Sequence, residues 1–110
     1  MKTISAEIYS ELTELGLKAD VYTLDEILDM LPIEISPSYH LEFFRVKRGD
    51  LGHYKPVYNL HYYRADFLYP LVDFESTNPA EAAGQLLIWC IKYGHVKVEN
   101  LNNKCVLTVV

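Results

Sequence analysis

The stretch STNPAEAAGQLLIWCIKYG constrains this chain more than any other, because it marks both ends of one helix and leaves that helix almost no polar side. Asn78 is placed to cap the first turn, Pro79 to open the helix and Glu81 to return a bond to the cap, while Gly94 supplies the left-handed residue that ends it. The pattern predicts a helix from about Pro79 to Tyr93. After Glu81 only Gln85 and Lys92 are strongly polar, so the apolar surface extends well beyond one stripe. Such a helix needs a sheet on one side and further cover on the other, from N-terminal helices or from a second subunit.

Two candidate helices precede it. Ile4, Ile8, Leu12 and Leu15 recur at helical spacing, and Gly16 followed by Leu17 reads as a left-handed cap with its hydrophobic contact, giving a first helix over Ser5 to Leu15. In the run TLDE, Thr23 and Glu26 form a capping box, with Tyr22 and Ile27 as a hydrophobic staple. Leu24, Ile27, Leu28 and Leu31 make the buried stripe of this short second helix, and Pro32 stops it.

Between these helices and the capped one the chain turns aromatic and β-branched. Tyr39 to Arg48 and Tyr54 to Tyr63 read as a β-hairpin around the turn RGDLG. In its second strand Tyr54, Pro56, Tyr58, Leu60 and Tyr62 share one face, and Lys55, Val57, Asn59, His61 and Tyr63 the other, which predicts one packed and one wetter side. The adjacent Phe43 and Phe44 break simple alternation and point to a bulge or to burial on both faces. Phe67 to Phe74 reads as a third strand, with Pro70 confining it to an edge or marking a bend. After Gly94, HVKVE and KCVLTVV around NLNN read as a terminal hairpin, with the last segment equally readable as a loose or a partner-bound tail. The expected fold is α+β: an antiparallel sheet packed against a C-terminal helix, with two short N-terminal helices.

At 110 residues, half of them hydrophobic, the chain has the material for one core and reads as a single domain. Its longest uncharged apolar run, Ala82 to Ile91, falls far short of the roughly 20 residues of a bilayer span. Glu7, Glu11 and Glu14 interrupt the N-terminus where a signal peptide needs an apolar run. Cys90 and Cys105 lack metal-ligand or disulfide-framework spacing and read as buried free thiols. Together these place the protein, as an expectation, in a reducing cytoplasm with no membrane association.

Spacing supplies little chemistry. His40, His53, His61 and His95 are scattered, without the pairings that put two ligands on one metal. Asp66, Asp73 and Glu75 flank the third strand, and carboxylates there hold a metal or do acid-base work only if they converge in a pocket; strand-end acids are ordinarily solvated. No phosphate-cradling or nucleophile-elbow glycine motif is present, and Arg48-Gly49-Asp50 is accounted for as turn chemistry. No catalytic residue, metal site or cofactor is expected. Of the five glycines, only Gly84 is unexplained by a turn or a cap.

Charge is more informative. Residues 1–38 carry two bases and eight acids, net −6; residues 39–64 carry five and two, net +3; residues 65–110 carry three and five, net −2. Six of the nine tyrosines lie between Tyr39 and Tyr69, interleaved with those bases. Arg45, Lys47, Lys55, His61, Tyr63 and Arg64 are therefore the candidate binding surface. Aromatic faces beside cations stack bases and neutralise phosphates. The same residues are enriched in protein–protein interfaces, and a tyrosine-rich core with a solvated basic rim accounts for them equally well.

The run VYTLDEILDMLP, the aromatic strands and FESTNPAEAAGQLLIWCIKYGHV together resemble a group of small proteins encoded by bacterial phages and prophages. The likeness lies in a capped helix ending in LP, a tyrosine-rich hairpin and a helix of the pattern PAEAxxxxLIWxIxxG, and covers roughly residues 21–96. Its motifs are caps, core and turns, so they carry no catalytic residues over. The resemblance implies an accessory protein of a mobile element in a bacterial cytoplasm. The expected function is non-enzymatic protein binding, including inhibition of a host system, with a homo-oligomer among the expected partners. The alternative is a nucleic-acid-binding module using the basic hairpin.

Overall fold

The computed structural model describes residues 3–18, 23–35, 38–48, 55–66 and 69–107, with the backbone alone for 47, 48, 55 and 103–107. Its elements run α1 (Ala6–Glu14), α2 (Leu24–Met30), β1 (Glu34–Ile35), β2 (Tyr39–Arg48), β3 (Lys55–Tyr63), β4 (Val72–Ser76), α3 (Pro79–Lys92) and α4 (Val98–Leu107). The strands form one antiparallel sheet in the order β1-β2-β3-β4. The α+β class and the sheet packed on a C-terminal helix are as expected.

The helix ends follow their sequence signals. At α1 the N–H of Gly16 (φ 102°) donates to Thr13 C=O and that of Leu17 to Leu12 C=O, and Leu17 is buried. At α3 the N–H of Gly94 (φ 78°) donates to Ile91 C=O and that of His95 to Cys90 C=O. Both are the paired closing bonds that a left-handed residue permits. Thr23 and Glu26 form the reciprocal capping box of α2, whereas Tyr22, the other half of the expected staple, lies outside the described residues. Asn78 caps α3 by accepting from Ala80 N–H. Glu81 does not complete a box there: its carboxylate accepts the Ser5 hydroxyl at 2.8 Å, and Asn78 N–H goes to Ser76 Oγ. The acid serves to dock α1 on α3.

α3 is the centre of the molecule. Ala80 is fully buried, and Ala82, Ala83, Leu86, Leu87 and Cys90 are fully buried in one cluster with Ile8 and Leu12 of α1, Ile27 of α2 and Leu31 at its end, and Leu60 and Tyr62 of β3. The sheet covers one side and the N-terminal helices the other, so the broad apolar surface is enclosed by the chain itself and requires no second subunit. Gly84 owes its place to this packing: a Cβ there would lie 2.6 Å from Ile8 Cγ2.

Three expectations are corrected. The third strand is Val72–Ser76, later than Phe67 to Phe74; Pro70 precedes it, and Phe67 and Leu68 lie outside the described residues. β2 pairs with β3 without interruption from His40↔Tyr63 to Arg48↔Lys55, so Phe43 and Phe44 mark no bulge, and both are substantially exposed, at 39% and 46%. The expected terminal hairpin is the helix α4. HVKVE has strand-like alternation but reaches no sheet edge. Instead His95 stacks on Trp89 (centroids 4.8 Å apart), Val96 and Val98 pack on the core, and Leu101 is buried. Asn102 then ties α4 to the α1 cap, its amide donating to Gly16 C=O and accepting from Lys18 N–H. Tertiary contacts have overridden a weak local preference.

Candidate functional site

The hairpin register decides where the candidate surface lies. Paired residues share a face, and Leu60 and Tyr62 face the helices, so Tyr39, Leu41, Phe43 and Arg45 belong to the helix side of the sheet. His40, Glu42, Phe44, Asn59, His61, Tyr63, Asp73 and Glu75 belong to the opposite face. His61 and Tyr63 are thus brought together, ring edge to face at 6.2 Å. Arg45 is on the other face, its guanidinium 6.0 Å from the centre of the Tyr58 ring. Arg64 follows the far end of β3, donating to Asp66 and lying 5.7 Å from the Tyr39 ring centre; the Arg64 bond holds the Asp66 carboxyl below the usual carboxylate range. Lys47 stands opposite Pro56 and Lys55 opposite Arg48 near the distal end of the hairpin. Among the described side chains of this set, His61 and Tyr63 lie together, and Arg45 and Arg64 lie apart from them.

The face turned away from the helices holds a connected row that spacing did not reveal. Glu42, His61 and Asp73 lie side by side on three adjacent strands. Glu42 Oε1 is 2.9 Å from His61 Nε2, His61 Nδ1 is 2.5 Å from Asn59 Oδ1, and the Asn59 amide nitrogen donates to Asp73. Because that nitrogen is directed at Asp73, the Asn59 oxygen faces the ring, and both ring nitrogens meet acceptors. Phe44 covers the ring at 5.3 Å, and Asn59 is 7% exposed. Both ring nitrogens are engaged within the row, which cross-links β2, β3 and β4. The signal was available in the register, which sets Glu42 against His61 once the hairpin is closed. Among the described residues no group of three or more histidine, cysteine or acidic side chains is arranged to hold a metal ion.

The backbone adds a second feature. Leu41 N–H donates to Ile33 C=O at 2.8 Å, so the odd-numbered residues of β2 turn their peptide groups away from β3. β1 is only two residues long and pairs with Tyr39 and His40. From Phe43 onward no described strand lies on that side, so among the described residues the outward N–H and C=O groups of Phe43, Arg45 and Lys47 form an open edge. Phe43 and Phe44 flank it on opposite faces. The opposite sheet edge, β4, is five residues long and carries Asp73 and Glu75.

Two open grooves lie elsewhere. One of about 550 Å³ runs between the end of α2 and α4, lined by Leu28, Met30, Leu31, Val96 and Leu101. Another of about 420 Å³ lies between α1, α3 and β4, where Glu7, Glu11 and Glu81 face Phe74, Trp89 and Tyr93.

No protein-family model matches the chain, and no curated protein or solved structure is significantly similar to it. Among the described residues no helix is long and apolar enough to cross a membrane.

Proposed function

We propose that this protein is a non-enzymatic binding module that captures a partner protein by adding a strand to the open edge of β2. The phage or prophage resemblance sets its context as an accessory protein, with a host or phage factor as target. The observation that carries the reading is the edge from Phe43 to Lys47, whose outward peptide groups meet no described strand and whose two phenylalanines are exposed. Natural sheets shorten, bulge, charge or cover their edges, and an edge guarded by charge alone keeps its peptide groups open to a strand of suitable chemistry. Nucleic-acid binding has less support: the acids Glu42, Asp73 and Glu75 share the open face with His61, and Arg45 lies on the other.

The test is capture of a partner by the wild-type chain and by two edge variants. Arg45→Pro removes an outward N–H that the β3 ladder does not use; Phe44→Ser removes an exposed ring. Capture should fall at least tenfold with each variant and stay unchanged with Tyr93→Ser, at a side chain 69% exposed far from the edge. Capture that ignores both edge variants while they melt like wild type defeats the reading.

A further inference from the structure

Resting on the strand-addition reading, we infer the chemistry of the strand received: an extended segment of another protein that alternates acidic and apolar residues. The edge is basic. Residues 42–48, EFFRVKR, carry one acid and three bases, net +2, in a chain of net charge −5. Arg45 and Lys47 occupy the same strand parity as Phe43, the parity whose peptide groups point outward. An incoming strand that fills all three outward positions sets its own residues directly beside them, within about 5.5 Å between Cα atoms. Acids beside Arg45 and Lys47 meet cations; bases there meet like charge, which destabilises a cross-strand pair.

The intervening positions call for the opposite chemistry. Phe44 and Val46 lie on the open face, where Phe44 covers His61 and the neighbouring charges are Glu42, Asp73 and Glu75. Apolar side chains there extend the Phe44 surface, and further acids meet repulsion. The edge therefore reads as a pattern of acid, apolar, acid, apolar.

A second copy of the chain fits less well. The antiparallel self-pairing that fills Phe43, Arg45 and Lys47 on both copies has Arg45 on its two-fold axis, facing Arg45 of the other copy. It also joins two segments of net +2. Arginine and lysine on an exposed edge are a common guard against such self-association. The guanidinium of Arg45 leans back over Tyr58 of its own β3, leaving the edge backbone open to a strand of opposite charge.

The experiment uses the full chain labelled for NMR and three synthetic heptapeptides: alternating Glu and Val, alternating Lys and Val, and the Glu/Val peptide N-methylated along one backbone edge. The expected result is that the Glu/Val peptide slows amide exchange at Phe43, Arg45 and Lys47 at least tenfold. Binding of the Lys/Val peptide should be at least tenfold weaker, and the N-methylated peptide should protect none of the three. The double variant R45E/K47E should invert the preference. Equal protection by the acidic and basic peptides overturns the acidic assignment and leaves strand addition standing. Binding of the N-methylated peptide as tightly as its parent overturns both, since the contact is then charge alone. No protection by any peptide also overturns both. Protection without peptide, with a dimer in sedimentation equilibrium, makes the occupant a second copy and overturns the inference.

Discussion

Replacing Gly84 by alanine sets two effects of opposite sign against each other. In a solvent-exposed helix the change stabilises by about 1 kcal/mol through backbone propensity. At position 84 the new methyl would sit 2.6 Å from Ile8 Cγ2 and 3.2 Å from Ile4 Cγ2. Optimal carbon contact is about 3.5–4.0 Å, so α1 and α3 must separate by roughly 1 Å or Ile8 must rotate. Rotation is restricted, because a β-branched residue in a helix has essentially one χ1 state. Separation strains the Ser5–Glu81 bond (2.8 Å) and the bond from Asn78 Nδ2 to Thr3 C=O (2.9 Å) that hold the two N-termini together. Overpacking of this kind costs about 1–3 kcal/mol or more, enough to reverse the propensity gain. The expected net result is a loss of about 1–2 kcal/mol by urea titration, with Tm lower by roughly 5–15 °C. Ile8→Leu removes the offending branch methyl, so G84A/I8L should be less destabilised than the two single changes added together, by about 1 kcal/mol. A G84A protein more stable than wild type, or strict additivity with I8L, refutes the close-contact account.

Two further predictions concern buried and docking groups. Burial pushes the Cys90 thiol up to about 11 from an ordinary 9.0, against the smaller opposing effect of its contact with Tyr62. The folded state therefore holds that proton more tightly: its contribution is complete below pH 9 and falls away as pH rises toward 11, by on the order of 2 kcal/mol. Urea midpoints between pH 8 and 11 should fall more steeply for wild type than for Cys90→Ala, and equal slopes refute the assignment. Asn102→Ala, which deletes both bonds to Gly16 and Lys18, should destabilise by about 1 kcal/mol in a thermal melt. Asn102→Asp, which turns a carboxylate oxygen toward the Gly16 carbonyl, should cost more.

What could be read from the sequence were the features fixed by local chemistry. Asn78, Pro79, Gly16, Gly94 and the Thr23–Glu26 pair act over four or five residues, and each starts or ends its helix where its spacing places it. The pleat of β3 was equally legible, because Leu60 and Tyr62 against Asn59 and His61 follow from a period of two. What was not legible depends on partners distant in the chain. Glu81 satisfies the local capping-box pattern yet bonds Ser5, 76 residues away. HVKVE alternates like a strand, but Trp89, Leu101 and Asn102 draw it into a turn and a helix. The Glu42–His61–Asn59–Asp73 row needs two strand registers at once, and neither is written in the spacing of acids and histidines. Arg45, Lys47 and Lys55 are close in sequence, but the pleat sets Arg45 and Lys47 at one parity of the hairpin and Lys55 at the other.

The exposed edge follows from a mismatch of lengths. β2 and β3 have ten and nine residues, which at about 3.3 Å per residue makes an arm of roughly 30 Å. The helix that covers the sheet has 14 residues, about 21 Å. The neighbouring strands are shorter still, two residues in β1 and five in β4. Caps and prolines limit these elements: Pro32 stops α2 just before β1, Pro70 precedes β4, and Asn78 closes off the strand by opening α3. The hairpin therefore outruns β1 from Phe43 onward and β4 beyond Tyr58; Phe43 lies on the flank that β1 leaves open, and Phe44 on the face turned away from the helices. The two rings gain only part of the roughly 1.5–3 kcal/mol that full burial of such a side chain provides. Restoring that burial requires another layer or another strand, and the outward peptide groups of Phe43, Arg45 and Lys47 select a strand. Trimming the arm should then separate stability from binding: shortening β2 and β3 by two paired residues each beyond Arg45 leaves the α3 core intact, so Tm should change by only a few degrees while partner capture falls at least tenfold.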